Sequence, residues 1–225
     1  MLFCYILKRL LSLPRTIWFN FRYLPFKEAI HLPIWIANNV RIRNLYKGGI
    51  KFQGNVSLGI VRIGYHCADA VDTYSVHTII DIQKMGKLIL KGDAHIGHGA
   101  VICVKQQGTL TIGKNFAISG TTRLICTRNI LIGNDVQFSW DTLVMDSDAH
   151  KIWDKNNIKF NNCESIIIGN KVWIAANCTL LKGTVIQDNC VIASNSLLNK
   201  TYLYSNRIIG GIPAREIKEI GGWEL

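Results

Sequence analysis

The stretch DSDAH, from Asp146 to His150, places two carboxylates and one imidazole within five residues. A neutral imidazole can take the proton of a hydroxyl group as that group attacks a carbonyl carbon, and a carboxylate on the other ring nitrogen would fix the tautomer. The same residue types also bind metal ions or lie in solvated loops. The stretch is therefore a candidate catalytic base with its orienting partner, a candidate metal site, or a polar surface loop.

The residues around this stretch repeat with a period of six. From residue 90 onward an apolar residue recurs at every sixth position within four blocks, which are Leu90, Ile96, Ile102; Ile112, Ile118, Leu124; Ile132, Phe138, Val144; and Ile168, Ile174, Leu180, Ile186, Ile192, Leu198. This period fits a short strand, a turn and another short strand. Three units make one coil of about 18 residues in a triangular parallel β-solenoid, in which inward side chains stack from coil to coil. The repeat therefore predicts an all-β solenoid.

Three steps between the blocks are longer than six residues. The step 102–112 has four extra residues, the step 124–132 has two, and the step 144–168 has 18. Insertions at a corner leave the register of a solenoid intact, and long loops in compact folds are usually functional. DSDAH opens the longest excursion, residues 145–167, which makes a functional role more plausible than a plain surface loop.

The regions on both sides of the repeat predict caps. Residues 1–48 are rich in aromatic and basic residues and predict a partly helical N-terminal cap. The solenoid is predicted to span residues 49–210. Residues 211–225 predict a tail with a short helix that starts near Pro213. The N-terminal stretch has neither the run of about 20 apolar residues that a membrane span needs nor a cleavage site. We expect an amphipathic helix there, suited to peripheral contact with a membrane surface.

The composition indicates a globular chain with a basic balance. Hydrophobic residues make up 48% of the 225 residues, charged residues 18%, and the formal net charge is +11. A basic chain suits a polyanionic partner, but no nucleic-acid-binding motif is present, which favours a phosphate-bearing cofactor or work near a membrane. None of the seven cysteines forms a CxxC pair, so we expect reduced thiols in a cytoplasmic protein.

The segment IGNKVWIAANCTLLKGTVIQDNCVIASNSLLNK, residues 168–200, followed by GGIPAREIKEI, resembles the hexapeptide-repeat acetyltransferases, in particular their sugar and polysaccharide O-acetyltransferase branch. This resemblance implies a left-handed parallel β-helix. It also implies a homotrimer with its active sites in grooves between subunits, and acetyl-CoA as the co-substrate lying along each groove. No metal is expected.

The resemblance also assigns roles to individual residues. His150 matches the catalytic histidine, with Asp146 or Asp148 as the orienting carboxylate; the sequence does not choose between the two. The residues that match the coenzyme A site are Trp173, Ala175, Ala176, Ala193, Ser194, Lys200 and Arg215, with Lys182 as a weaker candidate. The acceptor side is expected near Ser119, Trp140 and Asp141, although Ser119 stands where galactoside-type relatives have an asparagine.

The sequence favours an O-acetyltransferase acting on a sugar or on a capsule, O-antigen or exopolysaccharide unit over other functions. A γ-type carbonic anhydrase needs three zinc-binding histidines, and the spacing of His66, His77, His95, His98 and His150 does not resemble that family. An N-acetyltransferase acting on an amino sugar and a non-catalytic solenoid scaffold remain alternatives. The expected location is the cytoplasm or the inner face of the membrane.

Overall fold

The computed structural model describes residues 2–65 and 75–224, with the side chains of the first helix from Arg9 onward. Two helices precede the strands, α1 (Leu2–Tyr23) and α2 (Phe26–Ala29). The strands form three sheets that wind around one core. His66 and Cys67 lie outside the described residues, as does the side chain of Cys4.

The three sheets have nine, seven and six strands, and in the first six coils each sheet takes one strand from each coil. Sheet A contains β1 (Ile34–Ile36), β4 (Val61–Ile63), β7 (Ala94–His98), β10 (Phe116–Gly120), β13 (Gln137–Trp140), β16 (Trp173–Ile174), β19 (Val191–Ile192), β21 (Arg207–Gly211) and β22 (Ala214–Glu219). Sheet B contains β2 (Val40–Arg43), β5 (Thr78–Ile82), β8 (Val101–Val104), β11 (Arg123–Cys126), β14 (Leu143–Met145), β17 (Thr179–Leu181) and β20 (Leu197–Leu198). Sheet C contains β3 (Ile50–Phe52), β6 (Lys87–Leu90), β9 (Thr109–Ile112), β12 (Asn129–Ile132), β15 (Ile166–Ile168) and β18 (Val185–Ile186).

The inward side chains stack in three ladders, as the six-residue period predicts. In sheet A, Ile96 pairs with Ile118, which pairs with Phe138, and the ladder continues through Ile174 to Ile192. The equivalent ladders are Ile102, Leu124, Val144, Leu180, Leu198 in sheet B and Leu90, Ile112, Ile132, Ile168, Ile186 in sheet C. All of these side chains are buried. The ladders form one continuous apolar core along the solenoid.

Three rows of corners join the sheets. The AB corner includes residues 121–122, 141–142, 175–178 and 193–196; the BC corner includes residues 105–108, 127–128, 146–165, 182–184 and 199–201; the CA corner includes residues 113–115, 133–135, 169–172 and 187–190. Many turns use one residue with positive φ, such as Asn115, Asp135 and Asn189. Asparagine and aspartate tolerate this left-handed conformation better than most residues. All three insertions that the repeat predicts lie at the BC corner.

The first helix closes the N-terminal end of the solenoid with polar side chains. The Asn20 amide bonds both backbone groups of Ile34, with Nδ2 donating to O at 2.7 Å and Oδ1 accepting from N–H at 3.1 Å. Thr16 Oγ1 accepts the N–H of Ile36 at 3.2 Å. These bonds satisfy backbone groups that an exposed edge strand would leave unpaired. Among the described residues, no helix is long and apolar enough to cross a membrane.

Two sequence-based expectations about the ends of the solenoid need correction. Strands β1 and β2 already pair with β4 and β5, so the first coil begins before residue 49. The tail is also not helical after Pro213, because β22 pairs antiparallel with β21. This hairpin supplies backbone partners to the last strand of sheet A, which a helix could not do.

The cap can be tested by truncating Asn20 to alanine. The Asn20→Ala variant leaves the buried N–H and carbonyl of Ile34 unpaired, and we expect the free energy of unfolding to fall by about 2–4 kcal/mol. Chemical denaturation measures this change. Asn38→Ala is the matched control, because its exposed amide makes only a 3.4 Å bond to the carbonyl of Leu11. An equal loss in both variants would contradict the capping role of Asn20.

Candidate active site

The loop that carries DSDAH projects from the BC corner. It leaves β14 after Met145 and re-enters the solenoid at Ile166. Its ends are joined by the N–H of Glu164, which donates to the carbonyl of Asp146 at 3.2 Å. An antiparallel bridge between Trp153 and Lys159 forms its tip. The loop is therefore an ordered projection with a narrow base, and His150 lies near that base.

Asp146 is fully buried and anchors the loop to the preceding coil. Its carboxylate accepts the backbone N–H groups of Thr127 at 2.6 Å, Arg128 at 2.8 Å and Asn129 at 2.8 Å. Three such bonds satisfy a buried charge well. The Asp146 carboxylate is therefore committed to the backbone of the turn below the loop.

His150 is exposed, and its ring orientation is set by a backbone group. Its Nδ1 lies 3.1 Å from the carbonyl oxygen of Asp148. A carbonyl oxygen can only accept a hydrogen bond, so Nδ1 carries the proton in this geometry. The lone pair of the neutral ring is then on Nε2, which forms no hydrogen bond to the described residues. Neither carboxylate of DSDAH contacts the ring in this arrangement.

Lys182 connects the loop to the following coil. Its Nζ lies 2.6 Å from Oδ2 of Asp148 and also contacts Oδ1 of Asn161. The Nδ2 group of Asn161 donates to the carbonyl of His150 at 2.8 Å. Lys182 therefore holds the two residues that bond His150, a role that the sequence did not reveal.

The other predicted site residues lie on a different part of the solenoid. Trp173 is on the outer face of sheet A, where its indole N–H donates to Oγ of Ser139 at 3.3 Å and its ring lies 6.2 Å from that of Trp223. Ser119 lines the same shallow hollow. Trp140 ends β13 next to the AB corner, and the residues at that corner are Asp141, Ala175, Ala176, Ala193 and Ser194. Lys200 is at the BC corner, and Arg215 is exposed on β22.

Sheet B separates these two groups of residues within one chain. From Thr142 at the AB corner to Asp146 at the BC corner the chain runs four residues, or about 13 Å of extended backbone. The structure thus brings together His150, Asp148 and Lys182, and separately Trp173 with Ser119. It does not bring His150 together with the small residues at positions 175, 176, 193 and 194 of the same chain.

A polar cleft of 440 Å³ lies beside the loop and was not anticipated from the sequence. It is lined by Gln106, Gln107, Thr127, Arg128, Asn162 and Cys163. The guanidinium of Arg128 donates to the carbonyl of Cys163 at 2.9 Å, which ties the loop to the cleft floor. The two short insertions of the repeat supply Gln106, Gln107, Thr127 and Arg128. These two insertions and the long loop lie at the same corner, and this could have indicated the cleft from the sequence.

Two buried thiols near these sites, those of Cys126 and Cys178, are poor nucleophiles. Burial raises the pKa of Cys126, and the Asp146 carboxylate raises that pKa further. Burial also raises the pKa of the Cys178 thiol. These thiols are protonated near neutral pH, and a thiolate is the reactive form. In residues 2–65 and 75–224, no group of three His, Cys, Asp or Glu side chains is arranged to hold a metal ion.

Comparison with known proteins identifies the repeat. Residues 165–200 match the family model described as bacterial transferase hexapeptide (six repeats). Over this segment the chain is similar to the hexapeptide-repeat transferases. The structure of the polySia specific acetyltransferase NeuO has a TM-score of 0.53, with 21% sequence identity, and the likeness covers 85% of this chain and 78% of that one. The fold class, a left-handed β-helix of hexapeptide repeats, is thereby confirmed.

Two curated proteins are similar in sequence to this chain. A Klebsiella pneumoniae protein described as an uncharacterized 24.8 kDa protein in the cps region is 29% identical over 204 residues, which are 91% of this chain and 87% of the relative. The polysialic acid O-acetyltransferase of Escherichia coli O1:K1 / APEC is 30% identical over 105 residues, which are 46% of this chain and 31% of that enzyme. The named activity of the second relative agrees with the prediction of an acyltransferase.

Asp146 is buried and Asp148 is exposed, and this difference allows a test of the anchoring role of Asp146. Asp146→Asn removes a buried carboxylate that accepts three N–H groups, and we expect the free energy of unfolding to fall by about 2–4 kcal/mol. Asp148→Asn is the matched control, because a partly exposed pair with Lys182 contributes less than about 1 kcal/mol. Denaturant unfolding of both variants measures the difference. A stable Asp146→Asn variant would contradict the anchoring role.

Proposed function

We propose that this protein moves the acetyl group of acetyl-CoA to a hydroxyl of a sugar in a cell-surface polysaccharide, namely a capsule, O-antigen or exopolysaccharide unit. His150 is the proposed general base. The observation that carries this proposal is the hydrogen bond between Nδ1 of His150 and the Asp148 carbonyl. It leaves the lone pair on Nε2 of this exposed side chain, and proton abstraction from an acceptor hydroxyl requires such a lone pair.

The proposed reaction is a direct transfer. The acceptor oxygen attacks the thioester carbonyl carbon while Nε2 of His150 takes the hydroxyl proton. The tetrahedral intermediate collapses, the carbon–sulfur bond breaks, and the proton passes to the leaving sulfur of coenzyme A. The Asp148 carbonyl supports the imidazolium that forms between these steps. A backbone N–H near Ala176 is proposed to stabilise the oxyanion, because alanine stands where some relatives have a serine.

The donor site is proposed along the small residues of the AB corner. Ser194 is exposed, and Ala176 and Ala193 are half-buried, so a pantetheine arm could pass close to the backbone there. Trp173 would form one wall. Lys200 and Arg215 are exposed and could pair with the phosphates of coenzyme A. Lys182 is a weaker candidate for this role because it is already paired with Asp148.

The acceptor class is proposed from two features. The relatives described above include a polysialic acid O-acetyltransferase, and the cleft beside the loop is lined by amides and Arg128. Amide groups bond sugar hydroxyls, and a guanidinium binds a carboxylate. An acidic glycan therefore fits this cleft. Trp140 next to the AB corner and Asp141 at that corner, together with Ser119, remain proposed contacts for a second sugar unit.

The separation of the two groups of residues supports a shared site in a homotrimer. His150 lies at the BC corner and the proposed donor groove at the AB corner, on opposite edges of sheet B. A neighbouring subunit that places its AB corner against the BC corner would complete the site. A closed threefold assembly makes three identical sites of this kind. The proposed location is the cytoplasm, where acetyl-CoA is available, or the inner face of the membrane.

Replacing His150 tests the general base. We expect His150→Ala to lower kcat about 100-fold or more, because general bases typically contribute at least that much. The measurement is thiol release from acetyl-CoA with a panel of acidic and neutral glycans. His31→Ala is the matched control, since His31 is exposed on the N-terminal cap. Near-normal turnover of His150→Ala would overturn the assignment.

Mixing two inactive variants tests the shared site. His150→Ala removes the proposed base, and Ser194→Trp blocks the proposed donor groove with an exposed bulky residue. When the two proteins are unfolded together and refolded at equal amounts, about one quarter of the interfaces should combine an intact base with an intact groove. Activity should return to about one quarter of the wild-type value. No recovery, with trimers formed, would mean that each site lies within one chain.

A further inference from the structure

The N-terminal cap has its polar residues inside and its apolar residues outside. Ser12, Thr16 and Asn20 follow one another at spacings of four and are buried against the first coil. The hydroxyl of Ser12 lies 2.7 Å from that of Tyr65, and Thr16 and Asn20 bond β1 as described above. Because the polar stripe is used to close the solenoid, the apolar stripe of the same helix is left on the outer surface.

This outer stripe is continuous. It consists of Leu10, Leu11, Pro14, Ile17, Trp18 and Phe21, all of them exposed. At about 100° per residue these positions fall within an arc of about 120° on one side of α1. Phe26 and Ile30 extend the patch beyond the helix, with the rings of Phe21 and Phe26 6.1 Å apart. A contiguous exposed patch of eight apolar residues is typical of an interaction surface.

The charge around the stripe indicates which kind of partner binds it. The first 65 residues contain ten lysines and arginines against a single acid, Glu28, so they carry +9 of the net +11. Arg22 and Lys27 are exposed next to the stripe, and Arg41, Arg43 and Lys47 are exposed on the adjoining first coil. A second copy of the chain would bring two strongly positive surfaces together, which is unfavourable. An anionic surface with an apolar interior satisfies both the cations and the stripe.

We propose that the N-terminal cap docks on the surface of an anionic phospholipid bilayer, with the apolar stripe of α1 in the headgroup layer and the exposed cations on the acidic lipids. The proposal does not depend on acetyl transfer. It differs from a membrane span, because the helix would lie parallel to the surface while its polar side stays bonded to the first coil.

Vesicle binding tests the proposal with the full chain. In co-sedimentation, wild-type protein should bind vesicles of phosphatidylcholine with 30 to 40% phosphatidylglycerol about tenfold or more tightly than vesicles of phosphatidylcholine alone, and high salt should weaken this binding. Leu11→Glu/Trp18→Glu should lower binding to the acidic vesicles by about tenfold or more. Equal or absent binding of the wild-type protein to both kinds of vesicle would overturn the proposal without any mutation.

A matched control separates the stripe from a general effect of added charge. Leu11 and Trp18 are 63% and 51% exposed, and Leu203 and Ile212, at the other end of the solenoid, are 69% and 73% exposed. Leu203→Glu/Ile212→Glu changes the net charge equally and should keep wild-type vesicle binding. Equal losses in the two double variants would contradict a specific role of the stripe.

Two further outcomes would assign the stripe to another partner. Sedimentation analysis of the wild-type protein and of Leu11→Glu/Trp18→Glu should give the same oligomeric state. A smaller oligomer in this variant would make the stripe a subunit interface and overturn membrane docking. Binding to acidic vesicles that falls with Arg22→Gln/Lys27→Gln but not with Leu11→Glu/Trp18→Glu would indicate a purely electrostatic polyanion site, which also contradicts the proposal.

Discussion

The stacking of inward side chains from one coil to the next is the constraint on which the rest of this structure depends. Each six-residue unit buries one large apolar side chain, which stacks on its equivalents in the coils above and below. A shift of register in one coil would move its apolar residue away from this ladder. Length changes are therefore tolerated only at the corners, where no ladder passes. Catalytic and binding residues in such a fold therefore have to lie at the corners and on the outer faces of the sheets.

The BC corner shows how that restriction produces a site. Three successive turns there are longer than the basic repeat, and the longest becomes the loop that carries His150. A loop of this length needs attachments, and it has one on each side, the Asp146 carboxylate on the turn below and Lys182 on the turn above. His150 stands between these two anchors. The carboxylates of DSDAH thus hold the loop in place, while a backbone carbonyl orients the ring.

The six-residue repeat was sufficient to predict the solenoid core. The ladders, the inward residues and the corner of the long loop follow from counting in sixes, because burial imposes that count. Strands β1 and β2 were assigned to the cap because they precede the regular blocks. The C-terminal strand β22 was predicted as a helix because its pairing with β21 is not visible in the local sequence pattern. The partners of Asp146 were also hidden. They are backbone N–H groups of another turn, and no side-chain motif reports a backbone contact.

The regular stacking of the coils also sets the distance between the N-terminal cap and the proposed site. The cap lies on the first coil, and the loop with His150 leaves the fifth, so four inter-strand spacings of about 4.8 Å separate them. If the cap rests on a bilayer, the proposed base stands about 20 Å beyond the first coil, on the side away from the membrane. In a trimer whose axis runs along the solenoids, three caps would face the same bilayer, and their weak attractions would act together. Such an orientation would hold the three proposed sites at one height above the membrane, so that the caps would set the position of the polar clefts.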